Sequence, residues 1–245
     1  MKRPLTLGLT LTIVGLAAAT LATARPSTSP ARAGAGPSTS PRPGDFVTRI
    51  DNPWFPLLPG TTLVYEGTRD GKAVRDVLTV THETTLIRGV RCTVIHDRLY
   101  VRGRLYERTT DWYAQDKKGN VWYFGEATAE LDKNGRVTST EGSFRAGRDG
   151  AQQGLFMPAN PKVGDAFRQE YYKGHAEDQF RVLSLAATVR VPYIASTRAL
   201  LTKETTPLEP GVIDHKYYVR GIGTVLEESV KGGSERLLLV SVKHE

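Results

Sequence analysis

The chain has 245 residues, 39% of them hydrophobic and 24% charged, an ordinary globular balance that excludes wholesale disorder and a membrane-embedded composition. Its formal net charge of +7 is not a nucleic-acid signal, because Lys2, Arg3, Arg25, Arg32 and Arg42 all precede Asp45, the first acid, and beyond them bases and acids are interleaved and nearly equal. A single cysteine, Cys92, excludes an intrachain disulfide and with it a disulfide-stapled scaffold.

The amino terminus reads as an export leader. Met1-Lys2-Arg3 supplies a positive start, residues 5–21 an apolar stretch, and Ala22-Thr23-Ala24 a small-residue processing site, so cleavage is expected after about Ala24. No cysteine lies near that point, which closes the lipoprotein route, and the paired arginines of a twin-arginine leader are missing. Residues 25–44 contain Pro, Ser, Thr, Ala, Gly and Arg but no large apolar side chain. Such a segment cannot bury enough surface to offset its ordering entropy and is expected to be a disordered linker. The sequence thus predicts an exported, extracytoplasmic protein with a signal peptide over 1–24, a linker over 25–44 and a single β-rich domain over 45–245.

Within that domain the punctuation is that of hairpins. Residues 61–67 make a first strand, Arg69-Asp70-Gly71-Lys72 a tight turn, and 73–87 a long second strand; Arg88-Gly89 and Arg102-Gly103 bracket a third over 90–101. A fourth, 104–115, leads through Asp116-Lys117-Lys118-Gly119-Asn120 into 121–131, and Asp132-Lys133-Asn134-Gly135 repeats the device before 136–143. Aspartate caps these turns and glycine takes the positive-φ position. Residues 145–165 are rich in Gly and Pro and are broken by Met157-Pro158-Ala159-Asn160-Pro161, which reads as a long loop or a lid. Strands resume over 166–173, 178–191, 197–205, 216–220, 224–230 and 236–243, and no segment carries a helical stripe. The expected fold is mainly β: one antiparallel meander of about eleven strands, curled into a barrel or half-barrel, because that many consecutive strands cannot stay flat.

Several phrases span this domain: Asp51-Asn52-Pro53-Trp54-Phe55-Pro56-Leu57; Asp111-Trp112-Tyr113-Ala114-Gln115-Asp116 continuing through Gly119-Asn120-Val121-Trp122-Tyr123-Phe124-Gly125-Glu126; Met157-Pro158-Ala159 with Arg168-Gln169-Glu170-Tyr171 and Ala176-Glu177-Asp178; and Thr206-Pro207-Leu208-Glu209-Pro210-Gly211 before Lys216-Tyr217-Tyr218. In these the chain resembles an uncharacterised family of secreted bacterial β-rich proteins. The resemblance implies export and the extent of the domain and carries no activity. The family pattern has proline ahead of the glycine that follows Tyr-Tyr, where this chain has Arg220. At the level of fold alone, a curled meander is similar to the half-barrels of periplasmic lipoprotein carriers and to lipocalin-like barrels.

Residues 111–126 are the densest in chemistry. Strict alternation along the second strand of this hairpin puts Trp122, Phe124 and Glu126 on one face and Val121 and Tyr123 on the other. With the Trp122 face inward, Glu126 lies at the mouth of an aromatic-lined concavity to which Trp54, Phe55 and Trp112 add wall. Such a wall with few polar groups is what small-ligand sites use; the competing reading is ordinary β-core aromatics with acids at turn ends.

A looser cluster, Glu170, His175, Glu177 and Asp178, combines carboxylates with a histidine, yet it lacks the spacing of a zinc site or an EF-hand and reads equally well as a hydrophilic turn. No metal site and no cofactor are expected. Gly142-Ser143-Phe144-Arg145-Ala146-Gly147 lacks the second glycine of a serine elbow, Gly221-Ile222-Gly223 has no helix after it to bind a dinucleotide, and Cys92 reads as a small buried hydrophobe. No catalytic residue is assigned.

Three readings follow, in this order. The first is a module holding a small apolar or amphipathic ligand, a lipid or another hydrophobe, on the concave face. The second is a noncatalytic structural or interaction protein with a cell-envelope partner. The third is a carboxylate-dependent enzyme, which needs Glu126, Glu170, Glu177 or Asp178 to converge in a cleft.

Overall fold

The computed structural model describes residues 41–245, so the expected leader and most of the expected linker lie outside the described residues. A single 3₁₀ turn, Pro43–Asp45, leads into strands β1 (Phe46–Val47), β2 (Thr61–Arg69), β3 (Lys72–Ile87), β4 (Val90–Val101), β5 (Arg104–Asp116), β6 (Val121–Leu131), β7 (Val137–Ser139) and β8 (Phe144–Arg145). They are followed by β9 (Gln152–Met157), β10 (Ala166–Arg168), β11 (Glu170–Tyr171), β12 (Gln179–Arg190), β13 (Ala195–Thr205), β14 (Ile213–Val219), β15 (Gly223–Lys231) and β16 (Arg236–His244). Among the described residues there is no α-helix.

Thirteen strands lie on one antiparallel path, β10-β12-β13-β14-β15-β16-β2-β3-β4-β5-β6-β9-β11, nearly closed into a barrel. The predicted tight turns set its registers. Asp70-Gly71, Arg88-Gly89 and Arg102-Gly103 each place both residues at positive φ, the mirror-image turn whose twist matches that of antiparallel strands. The last long strand, β16, pairs with the first, β2, so the ends of the meander are sealed to one another.

The remaining seam is bridged by the short segment 166–171, which pairs in two directions: β10 with β12 and β11 with β9. The backbone at Arg168-Gln169 crosses so close to Gly154 that a Cβ there would overlap it, which explains a glycine within β9.

Two features depart from the sequence expectation. The sheet has thirteen strands on its path rather than about eleven, and residues 145–165 are not a lid. Their middle is β9, paired with β6 and carrying the buried Leu155, Phe156 and Met157. Proline frames this strand at Pro158 and Pro161 without entering it, so the missing N–H groups cost no ladder bond.

Two apolar clusters result. The larger fills the barrel and includes Trp54, Phe55, Tyr113, Tyr123, Phe156, Leu200, Tyr218 and Leu239. The smaller gathers Ile87, Val90, Cys92, Ala114, Trp122, Phe124, Ala146 and Leu155, with Phe46 of β1 and Trp112 packed against it.

Candidate functional site

The dense hairpin β5–β6 does not keep strict alternation. Trp112 pairs with Gly125 but Tyr113 pairs with Tyr123, so Phe124 is the extra residue of a β-bulge, and Gly125 sits at φ 135°, which an L side chain rarely adopts. The bulge flips the phase. Trp122 and Phe124 join the smaller cluster, whereas Tyr123 and Glu126 turn into the barrel beside Tyr113 and Asp111. The expected shared face of Trp122, Phe124 and Glu126 is therefore replaced by a face of Tyr123 and Glu126.

The bulge is also packed over by β8: a Cβ on Gly125 would run into the backbone of Phe144 and Arg145. Gly125→Ala is accordingly expected to cost on the order of 3 kcal/mol, through left-handed strain plus overlap. Urea unfolding of the variant checks this.

Trp54 and Phe55 belong to a plug ahead of β2 that packs into the larger cluster, the Phe55 ring centroid 5.5 Å from that of Tyr113 and 4.5 Å from that of Phe156. Asn52 organises it: Oδ1 accepts from the Trp54 and Phe55 amides at 2.8 and 3.2 Å, and Nδ2 donates to the Gly119 and Pro158 carbonyls at 2.8 and 3.2 Å. Gln115 Oε1 accepts from the Asp51 and Asn52 amides at 2.9 and 2.7 Å. Across the turn, Asp116 Oδ2 accepts from Trp122 Nε1 at 2.9 Å. Residues 51–55, 115–122 and Pro158, far apart in sequence, thus meet at one place and hold one another. Arg220 belongs to the same place, its guanidinium 5.0 Å from the Trp54 ring centroid. The six proposed wall residues are therefore divided: Trp54 and Phe55 in the plug, Trp112, Trp122 and Phe124 in the smaller cluster, and Glu126 inside the barrel.

What the barrel holds beside its aromatics is carboxylate. Thirteen Asp and Glu side chains are buried, against two basic ones, Arg69 and Lys216. Both bases are engaged. Arg69 makes a bidentate pair with Glu235 at 2.6 and 2.9 Å, and Lys216 Nζ lies 2.8 Å from Glu204 Oε2 and 3.6 Å from Glu227 Oε1. Burial alone would pull the Lys216 ammonium down, but Glu204 and Glu227 override it and hold it well above the ordinary lysine value.

The acids that these bases do not neutralise form a belt. Asp111 and Glu126 are direct cross-strand partners on β5 and β6, and Asp76 and Asp97 hydrogen-bond to one another on β3 and β4. Glu170 on β11 and Asp178 just before β12 complete it. Burial pushes every one of them toward the protonated form, and neighbouring acids add to it for most. Asp111 rises to about 7 despite the 2.6 Å hydrogen bond donated by Tyr123, and Asp178 rises to about 7 despite Lys216. Asp97, Glu126 and Glu170 lie well above the carboxylate range, Glu126 through burial first and then Asp111 and Glu170. Fully enclosed atoms of this belt, among them Asp111 Oδ2, Glu126 Oε2, Glu170 Oε2 and the Tyr113 hydroxyl, have no hydrogen-bond partner. Tyr113 lies in the field of the same three acids and stacks on Tyr123 with 4.5 Å between ring centroids.

Of the looser acidic cluster, Glu170 and Asp178 thus enter the barrel, whereas His175 and Glu177 stay on the turn. His175 Nδ1 meets Glu141 at 3.1 Å and its ring stacks on Tyr172, while Glu177 accepts from the Gly174 amide at 2.8 Å. Among the described residues, no group of three or more His, Cys, Asp or Glu is placed to hold a metal ion. Cys92 is buried, its thiol pushed up to about 12 by desolvation.

Sequence reasoning missed Asp76, Asp97, Glu204, Lys216 and Glu227. A signal was present: in Val74-Asp76-Leu78-Val80 and Ile95-Asp97-Leu99 an acid occupies the apolar phase of a two-residue period, where a side chain must point inward. Comparison with known proteins gives no further constraint: no family model, no curated protein and no solved structure matches this chain.

Proposed function

We propose that the protein is an exported binding module whose barrel interior receives the cationic, hydrogen-bond-donating end of a small amphipathic molecule. One observation carries this reading: Asp111 Oδ2, Glu126 Oε2, Glu170 Oε2 and the Tyr113 hydroxyl are each enclosed without a hydrogen-bond partner, and all three acids act on the Tyr113 hydroxyl through their charge. A buried acceptor left unmade costs roughly 1–3 kcal/mol, and an ammonium offers such oxygens N–H donors together with a positive charge that draws neighbouring carboxyls from the neutral to the ionised form. The aromatic rings of Phe55, Tyr113, Tyr123 and Phe156 stand beside these acids, with centroids 4.5 to 5.9 Å apart, and give an apolar tail a neighbour.

The resemblance to secreted proteins and the leader-like start support the extracytoplasmic location. The second reading, a noncatalytic envelope protein, draws on the same rings, because they fill by themselves much of the space a hydrophobe would need.

Two probes with one tail and opposite heads separate the readings: dodecylammonium and dodecanoate, titrated calorimetrically into the purified protein. The expected result is binding of dodecylammonium, weakened about tenfold or more by Glu126→Gln, the equivalent of about 1.4 kcal/mol, and no comparable binding of dodecanoate. Equal binding of both, or of neither, overturns the cationic-ligand reading, and neither would favour the envelope role.

A further inference from the structure

The hairpin β12–β13 differs in character from the rest of the molecule. From 179 to 203 the chain contains no Asp or Glu, in a protein with 26 of them, yet it carries Arg181, Arg190 and Arg198, all exposed. Its inward phase is accounted for: Phe180, Val182, Val189, Val191, Ala199 and Leu200 are buried. Its outward phase mixes these arginines with large apolar side chains, where a solvated strand would be polar throughout. Leu183 and Leu185 are 37% and 36% exposed and Tyr193, at the hairpin end, 43%. Val163, 63% exposed, continues the surface, since the next residue, Gly164, donates to the Val182 carbonyl at 2.9 Å. Among the described residues none of the three arginines is in an ion pair with an acid.

We propose that the outward face of β12–β13 docks on an anionic lipid bilayer. Charge complementarity selects this occupant: a hairpin with guanidinium groups and no carboxylates of its own is what a negatively charged headgroup layer attracts, with Asp165 beside it turned back onto the Lys162 amide, while two leucines and a valine enter the acyl boundary and a tyrosine sits at its edge. The long arginine stems let the charges reach headgroups while the leucines go deeper. A second copy of the chain fits less well. Among the described residues the outer edge of β12 has no strand partner beyond Arg181, but the β12–β13 ladder shifts register between Val182 and Ser184, again before Ala187 and again before Val189. Such irregularities twist an edge away from pairing with another strand.

The test is co-sedimentation of the purified chain with vesicles of phosphatidylglycerol and, separately, of phosphatidylcholine. Two double variants accompany it, Leu183→Glu with Leu185→Glu and Arg190→Glu with Arg198→Glu, both at exposed positions, with melting curves to show that each remains folded. The expected result is binding to phosphatidylglycerol and not to phosphatidylcholine, reduced about tenfold by each double variant and by raising the salt from 0.05 to about 0.5 M. Binding that neither variant changes, absence of binding at low salt, or dimerisation abolished by the leucine pair in light scattering would overturn the proposal. The outcome is independent of the interior site, which none of these substitutions touches.

Discussion

Replacing Lys216 by methionine is expected to be among the most damaging single substitutions in the protein. The ammonium is 2% exposed and holds Glu204 at 2.8 Å and Glu227 at 3.6 Å, while Tyr218 donates to the same Glu204 at 3.2 Å. Methionine preserves the volume but leaves two buried carboxyl groups without their counter-charge, a change that costs roughly 3–5 kcal/mol when one partner of a buried ion pair is removed. For a chain of this size each kcal/mol moves the melting midpoint by about 2–4 °C, so a fall of about 10 °C or more is expected. The companion variant, Lys216→Met with Glu204→Gln and Glu227→Gln, removes both carboxylates and should regain most of the loss, since replacing a whole buried ionic group is often nearly neutral. Urea midpoints at constant slope measure both. A Lys216→Met protein as stable as the parent would mean that the ammonium and its acids are hydrated.

Stability is also expected to fall as the pH rises, the reverse of the usual acid denaturation. Burial holds Asp97, Asp111, Glu126, Glu170, Asp178 and Asp214 above the ordinary carboxylate value in the folded chain, whereas in the unfolded chain they release their protons near pH 4. Below about pH 4 both states are protonated and the full stability is present. Between there and the folded pKa values the unfolded chain binds fewer protons, so each increment of pH favours unfolding. Asp111, Asp178 and Asp214, each raised to about 7 chiefly by burial, place the window between about pH 4 and 7, and Glu126 and Glu170 extend it upward. A carboxyl whose folded and unfolded pKa values differ by one contributes about 1.4 kcal/mol, and because hydration and rearrangement relieve much of the penalty, a total of about 3 kcal/mol between pH 5 and 8 is expected. The melting midpoint should therefore be about 10 °C higher at pH 5 than at pH 8. Dodecylammonium at pH 8 should recover part of the difference, because a ligand bound only by the folded state raises its stability.

The architecture was largely legible because its determinants are local. Alternation marks the strands, and Asp70-Gly71, Gly89 and Gly103 mark the turns as residues that tolerate positive φ, while Arg88 and Arg102 take it because the turn between their strands demands it. The strand at β9 was hidden because proline and glycine surround it and its partner, β6, is distant in sequence, so nothing local announces pairing. The site was less legible for a related reason. Alternation assigns faces only while the ladder is regular, and one extra residue, Phe124, exchanges the faces of everything beyond it. Alternation points to Glu126 through a face that it does not share with Trp122, and Glu126 reaches the interior because the bulge intervenes.

Glu204, Lys216 and Glu227 escaped notice because they lie on three adjacent strands and meet only through the cross-strand register, Lys216 directly opposite Glu227 and diagonal to Glu204. Conversely, Trp54, Trp112 and Trp122, which looked most like a ligand wall, hold the plug and the smaller cluster together. Trp122 does so through its bond to Asp116, and Trp54 and Trp112 through the guanidinium groups of Arg220 and Arg145 that lie over their rings.

A belt of carboxyl groups pushed toward the protonated form by burial inside the barrel underlies both the proposed ligand chemistry and the unusual pH dependence. Side-chain carboxyl carbons of Asp and Glu, followed by NMR from pH 3 to 9 in the parent, Asp111→Asn and Glu126→Gln, measure this directly. The prediction is a small set of resonances still protonated at pH 6, titrating around and above 7, that loses a member in each variant. Titration of every Asp and Glu carboxyl near its ordinary value of about 4 would contradict it.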